Sequence, residues 1–334
     1  MAGIELTYLS GADVDRLAMA GDAILDPVAD VLAAQGRGEV VLEPRVHLFP
    51  GAGAEGHFNV LRGSLPRDGV AGVKVVGDFV DNGRLGLPSE LALLLLLDPA
   101  TGVPIAIVDA TAITAMRTGA VTAIGGRHLA RADSRVLGHI GSRGTAEWNV
   151  RLLCHVLPGI EEVRIHSRTA ESRTALAERL DAELAADVRA VDGWEECVRG
   201  ADVVVEASRL GAPEPLLRTA WLAPGTLVVP YGTVSAVELD LTDAMDKVVV
   251  DDWGQAHAGP LGALRAHVDS GRLTAERVHA ELGQIVCGER PGRERDHERI
   301  LLWHRGLSTT DIALGRAMLE RARERGIGTR LPYR

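Results

Sequence analysis

Two patterns of apolar and polar positions divide the chain. From Ser134 onward, short solidly apolar runs recur between stretches of helical spacing: "RVLGHI", "EVRIHS", "DVVVEAS", "TLVVPYG" and "KVVVDD". Runs that are apolar on both faces, alternating with helices, predict a parallel sheet covered on both sides. Thr145 to Leu157 reads as one such helix, stopped by Pro158-Gly159, and "ESRTALAERLDAELA" as the next. In the first, Ala146, Val150, Leu153 and Leu157 recur at i, i+4, i+7 and i+11, which is one face turned to a sheet. Up to about Asp109 the pattern is mixed. A helix over "GADVDRLAMAGDAILDPVADVLAAQ" is followed by strand-like "VVLEPRVHLF", "GVKVVGDF", "ELALLLLLD" and "PIAIVDA". The turn signals "PGAG", "DNG" and "DPATG" separate them. "TAITAMRTGAVTAIGGRHLA" predicts a long helix, and "TTDIALGRAMLERARERGIG" a final amphipathic one. The fold class expected is α/β, with a Rossmann-type doubly wound parallel sheet and a second α/β domain.

Composition narrows the class of function. The 334 residues suffice for one large or two medium domains, and 46% hydrophobic with 25% charged residues is ordinary for a globular protein. A net charge of -10 argues against nucleic acid or an anionic membrane as partner. "LALLLLL" is too short to span a bilayer, and the N-terminus shows no basic-then-apolar signal. Cys154, Cys197 and Cys287 have no metal-ligand spacing and read as buried thiols of a cytoplasmic protein. Of 36 basic residues only Lys74 and Lys247 are lysine, which marks both as places where a compact, titratable amine differs from a guanidinium.

The stretch "GHIGSRGTAEWNV" stands where a dinucleotide loop belongs, after a strand and before a helix. Gly141 supplies the tight turn and Ala146 the small packing residue, but Arg143 holds the second glycine position, with Gly144 beside it. The helix N-terminus, with Ser142 and Thr145 near it, is expected to meet the pyrophosphate. At the end of the next strand, where an acid selects NAD, stand Ser167, Arg168 and Thr169, which favours the 2′-phosphate of NADP, with NAD possible.

Beyond these local signals the chain resembles the ornithine cyclodeaminase/mu-crystallin family. The most specific stretch is "GVKVVGDFVDNGRLGLPSELALLLLLDPATGVPIAIVDATAITAMRTGAVTAIGGRHLA", and "ADVVVEAS", "ELGQIVCGERPGRERD" and "GLSTTDIALGRAMLERARERGIG" follow in family order. The resemblance implies a dinucleotide-binding domain over 116–311. It also implies a substrate and dimerisation domain from 1–115 with 312–334, in a homodimer. Its common chemistry is hydride exchange between a nicotinamide and the α-carbon of a small amino or imino acid. It places Arg45 and Arg117 on the substrate carboxylate, Lys74 as the proton-exchanging amine, Asn82 in the substrate pocket, and Thr118 and Ser208 on the cofactor. The cyclodeaminase branch carries an aspartate where this chain has Val234, so an imine reductase or amino-acid dehydrogenase is expected ahead of a cyclodeaminase or a crystallin-like binding protein. His304, and more weakly Tyr231, are candidate replacements for that acid–base group.

Overall fold

The structure is a computed structural model that describes residues 3–51, 56–142, 144–258 and 261–334. It divides into two compact units, Met1–Arg117 with Gly306–Arg334, and Thr118–Arg305. The boundaries fall two residues after the first expected change and six before the second.

The first unit is a mixed sheet. Its strands are β1 (Glu5–Leu9), β2 (Val41–Leu42), β3 (Val46–Leu48), β4 (Gly56–Leu65), β5 (Val70–Phe79), β6 (Glu90–Leu97) and β7 (Pro104–Asp109), with β16 (Thr329–Pro332) returning from the C-terminus. The order is β16-β1-β7-β6-β5-β4-β2, with β3 also on β4. The single helix expected before β2 is two, α1 (Gly11–Arg16) and α2 (Asp22–Gly36). Ala18 and Gly21 between them have φ of 48° and 49°, a left-handed break that helix periodicity does not register. "VVLEPRVHLF" likewise splits into β2 and β3 around Pro44, which has no N–H for a ladder.

The long α10 (Ser308–Arg325) packs on β4, β5, β6 and α2. Glycine permits the approach: a Cβ on Gly72 would stand 2.8 Å from Ile312, and one on Gly315 would run into Leu94. Period-two alternation then turns Gly72, Lys74 and Val76 of β5 toward α10, with Leu94 and Leu96 of β6 beside them. The opposite face keeps Val75, Leu91 and Leu93 exposed, continuing to Leu48 and Phe49 near β3.

The second unit is an eight-stranded sheet in which every pairing is parallel. Its strands are β8 (Val136–Ile140), β9 (Glu162–His166), β10 (Asp187–Ala190), β11 (Val203–Glu206), β12 (Leu227–Pro230), β13 (Lys247–Val250), β14 (Val278–Glu281) and β15 (Ile300–Trp303). They lie in the order β10-β9-β8-β11-β12-β15-β13-β14. This is a doubly wound sheet whose order reverses between β8 and β11. α3 (Thr111–Leu129) leads into it, and α4 (Ala146–Val156) and α5 (Ala170–Asp181) follow β8 and β9. Four helices of five residues complete it: α6 (Trp194–Val198), α7 (Trp253–His257), α8 (Arg265–Asp269) and α9 (Leu282–Val286). The apolar runs are buried throughout: β11, β12, β13 and β15 have no exposed residue.

Candidate functional site

The β8–α4 turn has the form that the glycine pattern requires. Gly141 has φ of 109°, and a Cβ there would lie 2.7 Å from the Ala207 carbonyl, so only glycine fits. Its N–H donates to the His166 carbonyl at 2.8 Å. Gly144 is also left-handed, at 57°, with open space where a Cβ would point. Ala146 is buried as the small packing residue. Thr145 is the N-cap of α4 but does not cap it: its hydroxyl meets the Tyr231 hydroxyl at 2.5 Å. The first-turn N–H groups of α4 therefore receive no side-chain cap, as an anion site requires. Arg143 lies outside the described residues.

A polar network holds this turn. His139 bonds through Nδ1 to the Gly141 carbonyl at 2.9 Å and through Nε2 to Asn149 at 3.1 Å. Burial pushes its pKa down to about 4, so it is neutral, donating from Nδ1 and accepting at Nε2. Asn149 also donates to the Tyr231 hydroxyl. The Tyr231 ring packs on the buried His304 with centroids 4.7 Å apart, and His304 Nε2 meets Thr122 at 3.0 Å. Thr122 in turn donates to the Thr118 carbonyl at 3.1 Å, which places Thr118 in the buried wall of this unit.

At the end of β9 the hydroxyls gather. Ser142 donates to Ser167 and to Ser172, each at 2.9 Å, and Thr169 meets Ser172 at 2.5 Å. Ser172, which pattern reading passed over, is the hub. Arg168 is exposed beside this cluster. Just after β11, Ser208 donates its N–H to Glu206 Oε1 at 2.7 Å.

The first unit carries the charged cluster. Lys74, buried on β5, donates to Asp311 Oδ1 at 2.5 Å and to Thr114 at 3.1 Å. Arg117 Nε donates to the same Asp311 oxygen at 3.0 Å. Asp311 Oδ2 is buried with no partner among the described residues. Arg45 donates to the Gly306 carbonyl at 2.9 Å. Gly306, at φ of 84°, lies against the Arg117 guanidinium, where any Cβ would overlap it. Burial drives the Lys74 pKa down to about 8. Asp311 pulls it up, and Arg117 and Arg45 add to the fall. The sequence pattern brought Lys74, Arg45 and Arg117 forward but not Asp311 or Thr114. The signal for Asp311 was a lone carboxylate within the apolar turn "TTDIAL". Asn82 donates to the Pro88 carbonyl at 2.9 Å, closing its own surface loop. Lys247 is equally engaged, with Gly292, Glu294 and Glu298.

These features define a class: an α/β protein whose second unit is a Rossmann-type sheet and whose first unit holds a buried, cation-rich cluster around one lysine. The chain belongs to the ornithine cyclodeaminase/mu-crystallin family, whose model matches residues 7–326. It is 29% identical over 336 residues to an alanine dehydrogenase of Archaeoglobus fulgidus, covering 99% of each. Among solved structures, the Thermococcus litoralis Δ1-pyrroline-2-carboxylate reductase, in complex with NADH and L-proline, matches with a TM-score of 0.90. The identity is 27%, over 97% of this chain and 99% of that one. An archaeal alanine dehydrogenase dimer with bound NAD also matches at 0.90, with 28% identity over 99% and 100%.

Proposed function

We propose that this chain is a nicotinamide-dependent oxidoreductase acting on a small α-imino or α-amino acid, in the imine-reductase or amino-acid-dehydrogenase branch of its family. The observation that carries the reading is the Lys74–Asp311–Arg117 cluster: an amine with a pKa near 8 held beside guanidinium groups. An α-imino acid has one constant handle, its carboxylate, and guanidinium takes carboxylate through charge-assisted bonds. Arg117, fixed through Nε, and Arg45 hold that carboxylate. Lys74 exchanges the proton at the substrate nitrogen, since both of its forms are populated near neutrality. We assign proton exchange to Lys74 and to His304 the support of Tyr231 against the α4 turn.

The second unit fits a dinucleotide: an uncapped helix N-terminus, a glycine turn that a Cβ would fill, and a buried carboxylate oxygen without a partner. Gly141, Ser142, Gly144 and Thr145 would hold its phosphates, with Ser208 and Thr118 toward the other end. Ser167, Arg168 and Thr169 would take a ribose 2′-phosphate. When bound, the cofactor supplies or accepts the hydride. The exposed apolar face around Val75, Leu93 and Phe49 is of the kind that a second copy covers, giving a homodimer.

The test is nicotinamide absorbance beside product chromatography. Stoichiometric NAD(P)H oxidation with cyclic imines, or with pyruvate plus an amine, supports the reading. Proline from L-ornithine at constant nicotinamide absorbance would make the chain a cyclodeaminase instead. Cofactor binding without turnover of any such substrate would leave a binding protein.

A further inference from the structure

Glu206 ends β11, the strand beside β8 at the point where the sheet order reverses, and pairs in register with Ile140, the residue before Gly141. In doubly wound sheets ligands bind at the carboxyl ends of the strands at this switch point. Its carboxyl is wholly buried. Oε1 accepts the Ser208 N–H, and Oε2 has no partner among the described residues. Gly232 leaves the carboxyl room: a Cβ there would stand 3.0 Å from Oε2.

Burial raises this carboxyl to about 7, opposed only by the neighbouring Ser208 hydroxyl and the N–H groups of Ser208 and Gly232. No cationic side chain among the described residues contributes. Among the described residues the titratable groups around it are few. On β8 stands the neutral His139; after β12 stands Tyr231, whose N–H donates to the Glu206 carbonyl, with His304 behind it; on the exit loop stands the exposed Arg209. A buried carboxylate without a counter-charge is costly unless something cationic or hydrogen-donating comes to it. The oxidised nicotinamide brings both, a positive ring and an amide; the reduced ring brings only the amide.

We propose that the Glu206 carboxyl is a binding group for the oxidised, cationic nicotinamide, so that the chain distinguishes oxidised from reduced dinucleotide by charge. This rests on the nicotinamide reading above. Binding of the oxidised form to ionised Glu206 lowers the carboxyl's pKa in the complex. Affinity for the oxidised form therefore falls as pH drops below about 7, by up to tenfold per pH unit. Affinity for the reduced form stays nearly flat.

The experiment is a fluorescence titration of the full chain with oxidised and reduced NAD and NADP from pH 5.5 to 8.5. A calorimetric titration at pH 6.5 in two buffers of different ionisation enthalpy accompanies it. The expected wild-type result is a rise of at least tenfold in the ratio of oxidised to reduced affinity between pH 5.5 and 7.5, with proton release only on binding the oxidised form. Glu206→Gln flattens the ratio and abolishes the release. A wild-type ratio that does not change with pH, or one that changes equally in Glu206→Gln, overturns the assignment while leaving the cofactor reading intact. Absence of binding by all four dinucleotides would overturn the cofactor reading itself. The wild-type profile decides the matter even where the variant does not fold.

Discussion

Replacing Asp311 by asparagine keeps the shape of the cluster and removes the one carboxylate that the described residues bring to Lys74. In the wild type Asp311 Oδ1 lies 2.5 Å from Lys74 Nζ and 3.0 Å from Arg117 Nε, all buried. Burial, Arg117 and Arg45 already push the Lys74 pKa down to about 8, and Asp311 alone among the charges holds it up. An opposite charge at contact typically moves a pKa by about one to three pH units, so Asp311→Asn should carry Lys74 into the range of about 5–7. Reduction needs Lys74 protonated to supply the proton at nitrogen. Wild-type kcat/KM for imine reduction should therefore fall as pH rises through about 8, and the variant's limb should lie lower. For a fall of two units, the protonated fraction at pH 7 goes from about nine-tenths to about one-tenth, roughly a tenfold loss that acid restores. Leaving two buried cations without their partner also costs stability, about 3–5 kcal/mol, visible as a lower Tm. Lost stability lowers activity at every pH but does not move a limb. A folded Asp311→Asn enzyme whose kcat/KM still breaks near pH 8 would refute the coupling.

The other predictions concern single positions. Lys74→Arg should lose most turnover because guanidinium does not release a proton near neutrality, whereas Lys247→Arg should leave kcat unchanged and lower Tm by crowding Gly292, Glu294 and Glu298; equal rates for wild type and Lys74→Arg would refute the first part. Arg168→Ala should erase a preference for NADPH over NADH of about ten- to a hundredfold, the size of a charge-assisted contact; equal wild-type titration curves for the two would show that no 2′-phosphate site exists. Glu206 is raised from 4.5 to about 7, so the folded chain binds more protons than the unfolded one between those values and stability is lost as pH rises through them. Glu206→Gln should thus raise stability by up to about 3 kcal/mol at pH 8 and by little at pH 4.5, read from urea unfolding at both; a gain independent of pH would refute the buried-charge account. Leu93→Glu, on the exposed sheet face, should convert a dimer to monomer by sedimentation; an unchanged mass would place any interface elsewhere.

What the amino-acid order determined by itself was local. Runs such as "DVVVEAS" and "TLVVPYG" are apolar on both faces, so they form buried parallel strands. Gly141 has no substitute in its tight strand-to-helix turn, and Ala146 is the small residue buried behind it. The motif around Lys74, Arg45 and Arg117 carried the cluster's cations. The tertiary structure decided who stands next to whom. β15 enters the sheet between β12 and β13, an order that no period in the chain encodes. β4, ten residues long, carries Gly56 and Gly63 among paired polar and apolar residues and shows no clean alternation, yet it pairs with β5 along its whole length. Asp311 reaches Lys74 across 237 positions because glycines let α10 settle onto the sheet. In "DVVVEAS" Glu206 is one polar residue at a strand end; its charge state follows from burial, from Gly232 and from the lack of a cation among the described residues around it. Periodicity reports which side of an element is apolar. The energy of a buried charge is set by its neighbours in space, and those are fixed only once the strands have paired and the helix has docked.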